Sequence, residues 1–256
     1  MAIDIEGILR HGYERTVARN GLLFAAILFV ISVLDAMFSP GAEQRPAPPG
    51  EMAPPGMESI QDIAGGAPPI SLGLSPGVAS VLSLLLGLVA MVVTIAAIRT
   101  FVGDETETLP REHFTEDIPW TMVNLLAGSI VFTIALAIGF AFLILPGLFL
   151  LVSLFLWEVF VAVEDDNFVE GFRHSWDLTG GRRLRLFVLG VVVIVVALIV
   201  SIAFAIPGVF LPEVAGFLIE QVGAALVGVF VLATVAETYN RLVAAAEEEA
   251  PDPTAG

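Results

Sequence analysis

The sequence predicts an all-α fold: a polytopic membrane helix bundle with six transmembrane helices. Three observations carry that prediction. Of 256 residues, 57% are hydrophobic, and the mean hydropathy is +0.90. Charged residues make up only 15%, where a soluble domain carries about a quarter. Those charges also cluster, leaving six apolar runs. A bilayer core about 30 Å thick takes roughly 20 apolar residues in a helix.

The elements follow in order. Over the first twenty residues, Ile5, Ile8, Leu9 and Gly12 recur on one helical face, with Arg10, Glu14 and Arg15 elsewhere. That spacing suits a short helix lying in the membrane interface. The apolar runs cover 21–38, 78–102, 120–145, 147–163, 186–211 and 217–240. The first reads as a retained span, because no A-x-A site follows it and acids precede it. Residues 39–77 are rich in Pro and Gly and poor in aromatics. Such a stretch cannot bury enough apolar surface to order itself, so an irregular external loop is expected. The third and fourth runs are separated only by Pro146-Gly147. Read together they are too long for one span; Pro interrupts the ladder and Gly accepts a turn, which predicts a helical hairpin there. Residues 1–246 form one membrane domain, and 247–256 read as an acidic, disordered tail.

Charge sets the orientation and excludes several functions. There are 27 acids against 11 basic residues, all of them Arg, for a net charge of −16. This argues against nucleic acid as a partner. Dense carboxylates without Lys fit a cytoplasm of molar salt, as in a halophile, where screening acts over roughly 3 Å; an acidic protein of ordinary surroundings is the other reading. With six spans, one side of the membrane receives ten Arg and the other only Arg45. The positive-inside rule then places both termini in the cytoplasm of a multi-pass cell-membrane protein. There is no Cys, and His11, His113 and His174 lie in three separate polar segments. No nucleotide-binding, zinc-protease or serine-hydrolase motif occurs. No cofactor is implied.

One polar island, Glu164 to Gly181, interrupts the apolar second half. Asn167 can cap a helix, with Glu170 three residues on completing a capping box. Phe168, Phe172 and Trp176 recur at i, i+4 and i+8, with Val169 beside them. Glu170, Arg173, His174 and Asp177 face away. Gly180-Gly181 supplies a left-handed stop. Arg182, Arg183 and Arg185 follow, placed to bond lipid headgroups. The island reads as an amphipathic helix on the cytoplasmic surface.

These residues carry a resemblance. Leu145-Pro146-Gly147-Leu148, then Val163-Glu164-Asp165, Ser175-Trp176-Asp177-Leu178-Thr179 and Gly180-Gly181 stand in an order and spacing similar to the membrane domain associated with glycerophosphoryl diester phosphodiesterases. They also resemble the related YciC-type uncharacterised membrane proteins. In such enzymes the hydrolytic chemistry belongs to a separate soluble barrel. The resemblance therefore implies a membrane fold, and no hydrolase.

Glu158 is the one acid deep within a span, eleven residues past Gly147, or about 16 Å along a helix. An ionisable group at that depth is costly unless paired, protonated or wetted. Counting back across the hairpin from Pro146 places Thr133 opposite it and Ser129 one turn away, which predicts a hydrogen bond to one of these hydroxyls. Three functions follow. The chain is a non-enzymatic scaffold or accessory membrane domain, with the bilayer and another membrane protein as partners. Alternatively it is a transporter or channel using Glu158, or an intramembrane lipid-processing enzyme.

Overall fold

The computed structural model describes residues 4–39, 68–106 and 108–249. Among these the chain is an all-α bundle, and six helical segments are long and apolar enough to cross a membrane. This is the architecture of a multi-pass membrane protein. Its helices are α1 (Ile5–Val17), α2 (Arg19–Phe38), α3 (Pro76–Val102), α4 (Ile118–Phe142), α5 (Ile144–Leu154), α6 (Trp157–Val163), α7 (Phe168–Leu178), α8 (Arg183–Ala205) and α9 (Glu213–Glu249).

Helix α3 is central and contributes to both apolar cores. With α2 and α9 it encloses Phe24, Ala96, Phe101, Val229 and Ala233. On its other side Ile95 and Ile98 meet Leu125, Leu156, Trp157 and Phe160. Small residues on α3 and α9, Ala96, Ala97, Ala233 and Ala236, are buried to within a few per cent. In lipid, where no water drives helices together, such close backbone contact replaces hydrophobic burial.

Helix α1 packs on α9 and does not merely rest on the interface. Its buried face is Gly7, Ile8, Gly12, Arg15 and Thr16, one step round from the expected Ile5/Ile8/Leu9 stripe. A Cβ at Gly12 would lie only 2.5 Å from Thr234 Oγ1, and one at Gly7 within 2.9 Å of the Arg241 guanidinium. The two glycines thus bring α1 against α9. Arg15 is correspondingly buried, donating to Glu237 at 3.1 Å and Asp104 at 2.9 Å. Glu237 also accepts from Arg241 Nε at 2.7 Å, and it is buried, not at water as its place near a helix end suggests. Arg241 also pairs with Asp4 at 3.4 Å. Helix α1 and the late part of α9 therefore meet on one side of the bundle, the terminal face. Asn20 joins them there, its Nδ2 donating to the carbonyls of Glu105 at 2.9 Å and Thr108 at 2.7 Å.

Two expected boundaries move. The hairpin does not turn at Pro146-Gly147. It turns at Leu143, whose backbone is extended (φ −165°, ψ 148°), while Pro146 and Gly147 lie inside the first turn of α5. A proline there costs nothing, because first-turn N–H groups have no helical partner. Gly147 serves the packing instead, since a Cβ would strike the Phe140 ring at 2.5 Å. The return arm then breaks at Phe155–Leu156, between α5 and α6, which hydropathy does not foretell. At the chain's end α9 continues through Glu249, so 247–249 are helical where disorder is expected; Ala and Glu are good helix formers. The rest of that tail lies outside the described residues, as do Arg45 and most of the 39–77 loop. Where the loop is described, Ser71 Oγ donates to Ser39 O at 2.7 Å and Leu72 N–H to Met37 O at 2.8 Å.

Candidate functional site

The polar island folds as α7, and its local signals act as chemistry requires. Asn167 Oδ1 accepts from the N–H groups of Val169 and Glu170, both at 3.0 Å. The Glu170 carboxylate reaches back to the Asn167 N–H, completing the capping box. Phe168 N–H, another first-turn donor, bonds Asn124 Oδ1 of α4 at 3.2 Å. Gly181 takes the left-handed conformation at φ +72°, and Gly180 N–H bonds Asp177 O at 3.0 Å.

Helix α7 packs antiparallel along α5 and α6, and the face it presents is Gly171, Ser175 and Thr179. All three are buried. A Cβ at Gly171 would sit 3.0 Å from Trp157 O. Ser175 Oγ donates to Ser153 O at 3.0 Å and accepts from Leu156 N–H at 3.3 Å. Thr179 Oγ1 donates to the same Ser153 carbonyl at 3.2 Å. These are backbone groups at the α5–α6 break. In a membrane protein such groups need partners within the chain, and α7 supplies them. The aromatic residues flank this small-residue face: Phe172 stacks near Trp157 at 5.0 Å. Trp176 meets Phe149 at 5.4 Å, and the Arg183 guanidinium lies 4.4 Å from Trp176 and 4.7 Å from Phe149. Of the three expected headgroup arginines, Arg183 is thus held between two rings, a cation–π arrangement. It also donates to Trp176 O at 3.1 Å.

Around the start of α7 the acids divide. Asp165, in the left-handed conformation at φ +55°, pairs with Arg99 at 3.3 Å. Arg99 also donates to Ala162 O at 2.6 Å and Glu116 O at 2.8 Å, closing the C-terminus of α6 as a cation there should. Glu164 accepts from the Tyr239 hydroxyl at 2.5 Å, tying α9 to the island. Asp166 faces His174 Nδ1 at 2.6 Å. Loss of water around the Asp166 carboxyl pushes its pKa above the usual carboxylate range, with His174 opposing and Glu164 and Glu170 adding to the rise. Ligand atoms of Glu164, Asp166 and His174 lie within 4.8 Å of one another. Two carboxylates and an imidazole are a donor set for a divalent cation, but here the groups already satisfy one another, Tyr239 completing the set.

Glu158 does not make the expected bond. Its side chain is exposed, and no hydrogen bond or ion pair joins it to Ser129, Thr133 or any other described group. The reason is local. Trp157 fills the contact with α4, over Gly128, where a Cβ would strike its ring, and against Phe132 at 6.1 Å. The next residue on the helix is turned away by about 100°. The break at Phe155–Leu156 also invalidates a register counted from Pro146. Ser129 is half-buried and Thr133 exposed.

The sequence reading missed Arg99, Asn124 and Tyr239, single polar residues whose partners are distant in the chain. It also missed the Gly171/Ser175/Thr179 face, although its spacing was visible: small residues at i, i+4 and i+8 mark close helix contact.

A family model for a domain of unknown function, DUF7847, matches residues 3–242. The chain belongs to the DUF7847 family. No curated protein and no solved structure matches it. The match begins just before α1 and ends just past Arg241, so the DUF7847 unit takes in the α1–α9 ion cluster, the hairpin and the island together.

Proposed function

We propose that the chain is a non-enzymatic scaffold or accessory membrane domain of the cell membrane, with both termini in the cytoplasm. The observation that supports this reading best is where the polar groups are spent. Arg15, Arg99, Glu164, Ser175, Thr179, Glu237 and Arg241 each bond another element of the bundle. They hold helices to one another, and none of them is drawn to a partner outside the bundle among the described residues. A cavity of about 300 Å³ between α5, α8 and α9 is apolar, lined by residues such as Leu151, Phe155 and Ile194. A polar pocket of about 260 Å³ lies beside Arg99, His113, Glu116 and Asp165 at the terminal face. Glu158 lines neither. The excess of Arg on the terminal side supports its cytoplasmic placement. The resemblance to the diesterase-associated membrane domain fits an accessory role beside a second membrane protein.

Reconstitution tests the proposal. Purified protein in proteoliposomes should leave proton and solute leakage at the level of protein-free liposomes, and Glu158→Gln should change nothing. A flux above that level which Glu158→Gln abolishes would overturn the scaffold reading in favour of transport.

A further inference from the structure

Six segments have the length and composition to cross a bilayer, yet the contacts of α4–α7 conflict with all six doing so. Helices α8 and α9 run antiparallel, with Phe204 against Gly223 and Gly208 against Gly216. The start of α8 therefore lies beside the late part of α9. Leu186, Leu189 and Thr238 line one cavity together with Leu148 and Phe155, and Tyr239, one residue further on, bonds Glu164. Arg183, at the first residue of α8, stacks on Phe149. Phe149 and Glu164 are thus both held at the terminal-face end of α8 and α9. They are fifteen residues apart along α5–α6, about 22 Å of helix. Were that arm upright, the two residues would differ in depth by most of a bilayer core.

Helix α7 makes the same point. It lies along α5–α6 from Trp157 to Phe149, and its outer face exposes Glu170, Arg173, His174 and Asp177. An upright hairpin would carry these groups into the acyl chains with it, where charged side chains are costly unless paired or wetted. Glu158, exposed and without a partner among the described residues, would be stranded in the same way. The hairpin tip is the converse case. Between Ile134 and Val152 there is no polar side chain at all, and Phe142, Leu143, Ile144 and Leu145 are 80%, 67%, 69% and 77% exposed. A turn emerging into water would present such a surface badly. One kept among acyl chains needs only its backbone satisfied, and its single non-helical residue, Leu143, donates to Gly139 O at 3.2 Å.

We propose that α4–α7 form a wedge that lies within the leaflet of the terminal face and does not cross the bilayer. Helix α7 turns its charged face to water, α4 and the tip sit among the acyl chains of that leaflet, and Glu158 reaches the headgroup layer. The chain then crosses four times, through α2, α3, α8 and α9. Because the hairpin adds two crossings or none, both termini stay on one side in either case, and the Arg asymmetry fits both topologies.

The chain contains no Cys, so single-cysteine variants of the full-length protein report unambiguously. A membrane-impermeant maleimide applied to the face opposite the termini should label Phe210→Cys, at the α8–α9 turn, and should react at least tenfold more slowly with Leu143→Cys and Leu145→Cys. Applied to the terminal face, it should label Asp177→Cys readily. Labelling of Leu143→Cys and Leu145→Cys from the opposite face at the rate of Phe210→Cys overturns the proposal, and so does protection of Asp177→Cys from the terminal face. Two tip positions guard against one variant failing to fold.

Discussion

Two apolar hairpins lie in this chain, α4 with α5–α6 and α8 with α9, and they are stabilised by different means. In the segment Ile144–Val163, 50% of the most apolar window is buried; in Arg183–Val209 the share is 11%. Helix α8 faces lipid over most of its length and needs little from its neighbours. The return arm of the first hairpin is broken, and Trp157, Ser175 and Thr179 close around the break. Two segments that are both apolar enough to span a membrane thus differ in their dependence on tertiary contacts. A continuous helix satisfies its own backbone, whereas a broken one borrows partners from another element.

The largest effect should come from the buried ion cluster through which α9 holds α1. Glu237→Ala leaves the buried Arg15 with only the exposed Asp104 as a carboxylate partner, and breaking a buried pair costs about 3–5 kcal/mol. A melting scan in bicelles should show α1 released first, by faster hydrogen exchange at Gly7–Thr16. If Glu237→Ala melts with the wild type, the ion cluster is ornamental. Gly128→Leu comes next, because its side chain would invade the Trp157 ring; overpacking of this kind costs about 1–3 kcal/mol. Its control is Gly190→Leu in α8, where nothing lies within 4 Å of a Cβ, and the change in stability should stay within about 0.5 kcal/mol. Equal effects at the two glycines would erase the contrast between the hairpins.

Ser175→Ala should cost about 1–3 kcal/mol by leaving Leu156 N–H unpaired. Combined with Thr179→Val the loss should depart from the sum of the single losses, because both hydroxyls serve the Ser153 carbonyl; strict additivity in a double-mutant cycle would contradict a shared acceptor. The smallest effect concerns pH. Asp166 has a raised pKa in the fold, so its ionised form is disfavoured relative to the unfolded chain. Its penalty is fully present above the raised value and lifts as pH falls through it. The stability difference between Asp166→Asn and wild type should therefore shrink on acidification, which paired melting curves at neutral and acid pH will show; a difference that grows reverses the sign.

Much of this was legible in the chain. The all-α class and the six apolar segments follow from run length and composition, and most helix starts fell within a few residues, whereas α8 ends earlier than its apolar run, at Ala205, and α9 continues well past its run, to Glu249. The cap of α7 was legible too, since Asn167 and Glu170 act through neighbours three residues away. Residues acting across long separations were not: Arg99 closes α6 from α3, and Tyr239 holds Glu164 from α9. Glu158 failed as a prediction for the same reason, because an unforeseen break shifts every register counted through it.

Run length and local capping are properties of the sequence itself, since the bilayer thickness and the helix rise are constants. From them come the class, the number of apolar segments and the amphipathic α7. Which face of α7 is buried, where the hairpin turns and how Phe149 comes to lie beside Arg183 were decided only in three dimensions. Those outcomes depend on partners beyond the reach of helical periodicity, such as Phe140 for Gly147 and Trp157 for Gly171, and on backbone groups that a helix break sets free.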